Sequence, residues 1–250
     1  MGAPGFDDAP LVALKQDNEP RGITFVYPYY ENPIFLGVQL RRWTTYAPEL
    51  LRHLSIIVVD DGSPRCPASD VLTGFALNFP LRLFRVGVDV RWNWLAARNI
   101  GMHYAHGWCL LTDMDHIVPE QTLRAVIFGK LRDSTIYRFL RREFTGESIH
   151  PHPNSMLMQA KTFWHVGGYD EALSGFYGTD GDWRRRCAAA AKVFTLPCAL
   201  ERHEYVDDSS TTDYQRKQPE DAGKKAIIAR RGPGWRPKVL SFPYEEVPLS

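Results

Sequence analysis

Apolar positions along this chain follow two alternating periods, one of strands and one of helices. Residues 23–27 form a compact run, Ile23-Thr24-Phe25-Val26-Tyr27, stopped by Pro28, which predicts a buried strand followed by a loop. Phe35, Leu36, Gln39, Leu40 and Trp43 then recur near helical spacing over residues 35–46, before Pro48 forbids continuation. The β-branched run at residues 55–59 gives a second strand, which ends in the turn-forming Asp60-Asp61-Gly62-Ser63-Pro64. The same succession returns as a strand over 81–86, a helix over 93–106 and a strand over 108–112 that runs into Asp113. A helix follows over 120–130. Residues 134–140 and 155–159 are strand-like and joined by a polar loop containing Pro and His. A last helix is expected to start near Asp180 and Asp182 and to reach Ala191, followed by a strand over 193–196.

Such alternation predicts an α/β domain with a mostly parallel sheet covered by helices on both faces, because parallel strands need crossover connections. Weaker alternation after residue 130 predicts a mixed sheet. In open sheets of this kind ligands bind beyond the carboxyl ends of the strands, where Asp60-Asp61 and Asp113/Asp115 both fall. The 250 residues suit one such domain over 22–206, with a lead-in over 1–21 and an extension over 207–250 that wraps over the domain.

Composition narrows the function classes. A hydrophobic share of 44% with 24% charged residues is that of a globular protein, and a net charge of +1 gives no global pull toward nucleic acid or membrane. Cys66, Cys109, Cys187 and Cys198 lie far apart without CxxC spacing, which predicts free thiols. No apolar run approaches the roughly 20 residues of a membrane-spanning helix, and residues 1–19 lack the basic-then-apolar pattern of a leader, so a cytoplasmic location is the default expectation.

Asp113-Met114-Asp115 sets two carboxylates at i and i+2 just after an apolar strand. Hard oxygen ligands so placed suit Mg²⁺ or Mn²⁺, which can bridge two phosphates of a substrate. Taken alone, two acids in a surface turn are common. A second acidic pair, Asp180-Gly181-Asp182, follows the glycine-punctuated segment Gly167-Gly168-Tyr169-Asp170-Glu171 and Gly175-Phe176-Tyr177-Gly178-Thr179. Helix capping accounts for one acid of this pair and leaves the other for chemistry.

Together the segments Val26-Tyr27-Pro28-Tyr29-Tyr30-Glu31-Asn32, Val58-Val59-Asp60-Asp61-Gly62-Ser63, Ala97-Arg98-Asn99-Ile100-Gly101, Asp113-Met114-Asp115 and the Gly167–Asp182 region resemble the family 2 glycosyltransferases. The likeness covers residues 22–202 and implies a single GT-A domain, a Rossmann-like mixed sheet flanked by helices. It also implies transfer of a sugar from a nucleoside diphosphate donor to an acceptor hydroxyl, with Mn²⁺ or Mg²⁺ and inversion. By the same resemblance Pro28 and Tyr30 line the nucleotide pocket, Asp61 accepts from the base, and Arg98 reaches a base or a phosphate. Asp113 faces the ribose and the metal, Asp115 binds the ion, and Asp180 is the general base. A late histidine completes the metal shell in several GT-A enzymes, a role His203 fits ahead of His116, which stands next to the DxD pair and is placed to touch the donor sugar. Phe176 and Tyr177, inside the glycine-rich loop, are the expected acceptor contacts.

Two departures matter. Thr179-Asp180 replaces the family's usual Glu-Asp, which leaves Asp182 to share or replace the base, and the QxxRW motif and membrane helices of processive synthases are missing. Eight Lys/Arg between residues 214 and 238 (Arg216, Lys217, Lys224, Lys225, Arg230, Arg231, Arg236 and Lys238) form either a solvated helix face or a surface for a polyanion. The acceptor therefore stays open among glycan, lipid carrier, small molecule and nucleic acid, the last as glycosylation of modified DNA bases. A non-catalytic carbohydrate-binding protein on a degenerate transferase fold is a further alternative. Nucleotidyl transfer ranks lower, since Tyr29-Tyr30-Glu31-Asn32 has neither the glycine nor the basic residue of a phosphate loop.

Overall fold

The computed structural model describes residues 6–17, 19–204 and 222–249. In chain order the strands are β1 (Ile23–Tyr29), β2 (Leu54–Asp60), β3 (Leu81–Val86), β4 (Trp108–Leu111), β5 (His116–Ile117), β6 (Thr135–Arg142), β7 (Ser148–Ile149), β8 (Met156–Gln159), β9 (Lys192–Arg202) and β10 (Tyr244–Val247). The helices are α1 (Pro33–Thr44), α2 (Pro48–Leu51), α3 (Ala68–Leu72), α4 (Trp94–Tyr104), α5 (Glu120–Phe128), α6 (Ala160–Val166), α7 (Asp180–Ala190) and α8 (Ala222–Ala229), with a 3₁₀ turn at Glu171–Leu173. The ten strands make one mixed sheet in the order β10-β3-β2-β1-β4-β8-β6-β9-β5, with β7 hydrogen-bonded to β6. β3, β2, β1 and β4 are mutually parallel, and β8 runs antiparallel between β4 and β6. Consequently β6 and its parallel neighbour β9 end at the same edge of the sheet as β1, β2 and β4.

The continuous apolar runs of β1 and β2 are explained by burial on both sides. Phe25, Tyr27, Ile56 and Val58 pack on one face with α1 residues Leu36, Leu40 and Trp43 and with Leu123 of α5. Val26, Ile57 and Val59 pack on the other with Leu95 and Ile100 of α4, Phe163 of α6 and Trp183 of α7. Gly101 lets α4 settle on β1: a Cβ there would come within 2.4 Å of Val26 Cγ1.

Pro28 lies inside β1, not at its end. β4 pairs with β1 only as far as Val26, so a missing N–H at Pro28 costs no ladder bond to β4. α1 starts at Pro33, earlier than its apolar spacing suggests, because Asn32 Oδ1 accepts from Phe35 N (3.0 Å) and Pro33 occupies the first turn. The described part of the extension is built into the domain. β10 adds antiparallel to β3, Lys238 N donates to Asp170 Oδ1 (3.0 Å), and Glu171 accepts from Leu240 N and Ser241 N (both 2.7 Å). At the other terminus Arg138 donates to Phe6 O (2.8 Å) and Arg184 pairs with Asp7 (2.6 Å).

Candidate functional site

The strand order reverses between β1 and β4, and the chain leaves β4 through Thr112 into Asp113-Met114-Asp115 at that switch point. Residues 113–116 form a turn closed by His116 N donating to Asp113 O (3.1 Å), in which Met114 is buried while the side chains of Asp113 and Asp115 are 31% and 35% exposed, so both carboxylates keep an open side. Buried Gln39 of α1 fixes this turn by donating Nε2 to the carbonyls of Met114 (2.9 Å) and His116 (2.7 Å). Asp113 Oδ1 accepts from Arg98 (2.5 Å) and its Oδ2 lies 3.4 Å from His152 Nε2. Asp115 Oδ1 meets His116 Nδ1 at 2.6 Å. Burial opposes the charge of Asp115, but His116, His152 and Arg141 outweigh it and lower its pKa.

Arg98 is fully buried, 5.0 Å over the ring of Trp94, and donates to Asn154 O (2.7 Å) and Tyr169 Oη (3.0 Å) besides Asp113. Its guanidinium therefore stands behind Asp113 and holds that carboxylate. His116 is likewise buried behind Asp115, with its ring 4.1 Å from that of His152, so it orients the carboxylate from inside the protein. His203 follows β9, and its N–H donates to Asp115 O (2.9 Å), which brings the two residues together across 88 positions of sequence. Burial, helped by Arg41 and opposed by Glu204 and Asp115, lowers the His203 pKa, which favours the neutral imidazole that a metal requires. Among the described residues, no three His, Cys, Asp or Glu side chains already converge as a metal cluster.

The β1 and β2 ends supply a different environment. Asp60 builds the turn, accepting from Ser63 N and Ala68 N (both 2.8 Å), and Gly62 (φ +77°) passes where a Cβ would lie 2.4 Å from Val88 O. The Oδ1 of Asp61 is buried without a hydrogen-bond partner among the described residues. Burial, with Asp60 and Asp89 adding and Asn93 opposing, pushes its pKa well up. A buried acceptor left unmade is expensive and marks a place where a ligand donor can fit. Pro28 is half-buried in β1, and Tyr30 is exposed with its hydroxyl donating to Asp89 Oδ1 (3.1 Å).

The second acidic pair opens α7. Asp180 is half-buried and pairs with Arg184 (3.0 Å). Asp182 turns into the protein and takes Arg231 (2.5 Å) and Arg186 (3.1 Å), which outweigh its burial and lower its pKa. The helix is tied to the DxD turn through Trp183, whose ring lies 4.5 Å from Tyr169, the partner of Arg98. Phe176 packs against Gly223, where a Cβ would meet its ring at 2.7 Å, and Lys224 Nζ donates to Tyr177 O (2.8 Å) and Gly178 O (3.2 Å). Tyr177 stays exposed, with its ring 5.4 Å from Trp92. Lys224 and Arg231 of the basic stretch are thus engaged within the protein, while Arg216 and Lys217 lie outside the described residues.

Neither His152 nor Gln39 is a site residue on the sequence alone. His152 sits in His150-Pro151-His152-Pro153, a stretch that reads as a connection, and Gln39 reads as one polar position on an apolar helix. All four cysteines are free thiols.

No family model matches the chain, and no curated protein resembles it in sequence. Solved structures do match its fold. The TarS fragment 1-349 of S. aureus in complex with UDP-GlcNAc aligns with a TM-score of 0.61 at 9% identity, over 76% of this chain and 61% of that one. The mannosyltransferase PcManGT of Pyrobaculum calidifontis, with GDP-Man and Mn²⁺, gives 0.58 at 14% identity over 86% and 70%. GalNAc-T7 with UDP, GalNAc and Mn²⁺ gives 0.57 at 12% over 76% and 45%. The chain thus spans about three fifths of the TarS fragment and less than half of GalNAc-T7. The fold is GT-A, a mixed sheet flanked by helices.

Proposed function

We propose that the chain is a glycosyltransferase that moves a sugar from a nucleoside diphosphate donor to an acceptor hydroxyl. The observation that carries this reading is the pairing, at one sheet edge, of an unpartnered buried acceptor on Asp61 with two outward carboxylates on Asp113 and Asp115. A nucleobase N–H suits the former and a charged diphosphate with its counter-ion suits the latter. Support also comes from the solved transferases of the same fold, whose structures hold UDP-GlcNAc, GDP-Man and Mn²⁺.

In this assignment Pro28 and Tyr30 flank the base, Asp61 accepts from it, and Asp113 faces the ribose while Arg98 holds it in place. The donor set fits Mn²⁺ or Mg²⁺ in kind: Asp115 is held ionised, His203 is held neutral beside it, and Asp113 adds a second hard oxygen. Bound there, the ion supplies Lewis-acid charge to the leaving diphosphate. Asp180, half-buried at the start of α7, takes the proton of the acceptor hydroxyl as that oxygen attacks the anomeric carbon, which gives inversion. Asp182 anchors α7 to Arg231 and has no part in proton transfer. Phe176 and Tyr177 border the acceptor side. The internal engagement of Lys224 and Arg231 takes two charges from a polyanion surface and weighs against a nucleic-acid acceptor. Among the described residues no helix is long and apolar enough to cross a membrane.

Donor hydrolysis over a panel of nucleotide sugars, with Mn²⁺, Mg²⁺ or chelator, tests the reading. Turnover is expected to need the metal and to fall by roughly 10³-fold in Asp115→Ala. Equal turnover in Asp115→Ala, or a panel in which no donor is bound or cleaved, overturns it.

A further inference from the structure

Arg141 lies on β6, one residue before the strand ends, at the sheet edge that also carries Asp113, Asp115 and His203. The β6–β9 register shifts just before it: Phe139 pairs with Leu196 but Leu140 pairs with Ala199, so Pro197 and Cys198 bulge out of β9. Bulges of this kind re-aim the strand beyond them and occur beside active sites. By the two-residue period Arg141 shares the face of Tyr137 and Phe139, both of which sit in the core. The side chain is half-buried, its Nε is buried without a hydrogen-bond partner, and the guanidinium enters no ion pair among the described residues. The charges that act on it are Asp115, Arg202, Glu143 and Asp113. Arg202 is already paired with Glu143 (3.3 Å).

This separates Arg141 from the arginines that hold the fold, though not from Arg42, which also has an unpartnered Nε and lies 6.0 Å from the ring of Tyr46. Arg98, Arg138, Arg186 and Arg231 each donate to a carboxylate or a carbonyl. A guanidinium that is part-desolvated yet unpaired keeps its bonding capacity for something that arrives, and its planar fork matches phosphate oxygens. Arg98, the arginine that family likeness assigns to a base or phosphate, has both terminal nitrogens engaged by Asp113, Asn154 and Tyr169, with only its Nε unpartnered among the described residues.

We propose that Arg141 is a phosphate-binding residue of this site and takes an oxygen of the donor's diphosphate. The inference rests on the transferase reading for its ligand but not for its probe, because inorganic pyrophosphate can be titrated alone. Calorimetric titration of the full chain with pyrophosphate in the presence of chelator, for the wild type, Arg141→Gln and Arg141→Lys, reads the contact directly. A charge-assisted contact of this kind predicts a loss of about 10- to 100-fold in Arg141→Gln, with Arg141→Lys between the two. Nucleoside diphosphate binding should fall by the same factor while binding of the parent nucleoside does not change. An unchanged thermal midpoint in Arg141→Gln shows that the loss is local. Equal pyrophosphate affinity in wild type and Arg141→Gln, or no pyrophosphate binding by the wild type, overturns the assignment. Arginine-dependent pyrophosphate binding in a protein that cleaves no nucleotide sugar keeps the phosphate subsite and removes the transferase reading.

Discussion

Two acidic pairs with identical spacing, Asp113-Met114-Asp115 and Asp180-Gly181-Asp182, do different work because their backbones differ. In the turn after β4, closed by His116 N donating to Asp113 O (3.1 Å), Met114 enters the core and both carboxylates of the first pair keep an exposed side. In a helix the same interval is about 200° of rotation, so the second pair splits. Asp180 remains half-exposed beside Arg184, and Asp182 enters the protein to meet Arg186 and Arg231. Acids at identical spacing therefore give one pair that stays open together and one pair that divides, with Asp180 half-exposed and Asp182 anchored inside.

The sharpest test of that division is Asp180→Asn. Transfer is expected to fall by about 10³-fold, within the usual range for a general base, while the thermal midpoint and donor binding hold. Loss of donor binding would move Asp180 to the donor side and break the comparison.

Asp182→Ala should do the reverse. It removes the charge-assisted bonds of Asp182 while Arg231 keeps Asp170 and Arg186 keeps the carbonyls of Val166 and Gly168, and is expected to cost about 2 kcal/mol of stability by chemical denaturation, with activity per folded molecule kept. Combining it with Arg231→Met should cost less than the sum of the two single changes, and strict additivity would deny the pairing. The pH dependence has a definite sign. The Asp182 carboxyl is held below its unfolded value near 3.9, so its contribution is complete above about pH 5 and is lost as pH falls through the lower folded value. The acid-side loss of stability should shrink in Asp182→Ala.

Asp61→Asn is the smallest expected change in stability and has the opposite sign. The folded protein binds the Asp61 proton more tightly than the unfolded chain does, so ionisation there destabilises increasingly as pH rises above about 4. Removing the charge should raise stability by about 1 kcal/mol at neutral pH and weaken binding of the base. A lower thermal midpoint in Asp61→Asn would show that this carboxylate is held by partners and not kept for a ligand.

Much of this was legible in one dimension. The first four strands, α4, α5 and the strand-end position of Asp60-Asp61 and Asp113/Asp115 follow from apolar runs punctuated by turn residues. The start of α1 at Pro33 is set by the Asn32-Pro33 cap and leaves no apolar period to read. The seven residues of α6 give too few turns for a period to emerge. β9 runs to Arg202, well past the apolar stretch that announces it, because Pro197 and Cys198 bulge outward and pairing resumes beyond them. His152 carried no signal beyond its His-Pro-His-Pro setting, since its nearness to Asp113 is made by the return of the chain after β7.

What the sequence determined by itself is the local order: which segments extend or coil, and which strand ends carry acids. Those outcomes depend on hydrophobic period and turn chemistry, which act over a few residues. Tertiary structure alone decided which acid of Asp60-Asp61 and of Asp180/Asp182 is spent on the protein, that the terminal nitrogens of Arg98 are committed while Arg141 has no ion pair among the described residues, and that His203 meets Asp115. Such pairings depend on strand order and on desolvation among residues far apart in the chain, and no short-range pattern encodes either.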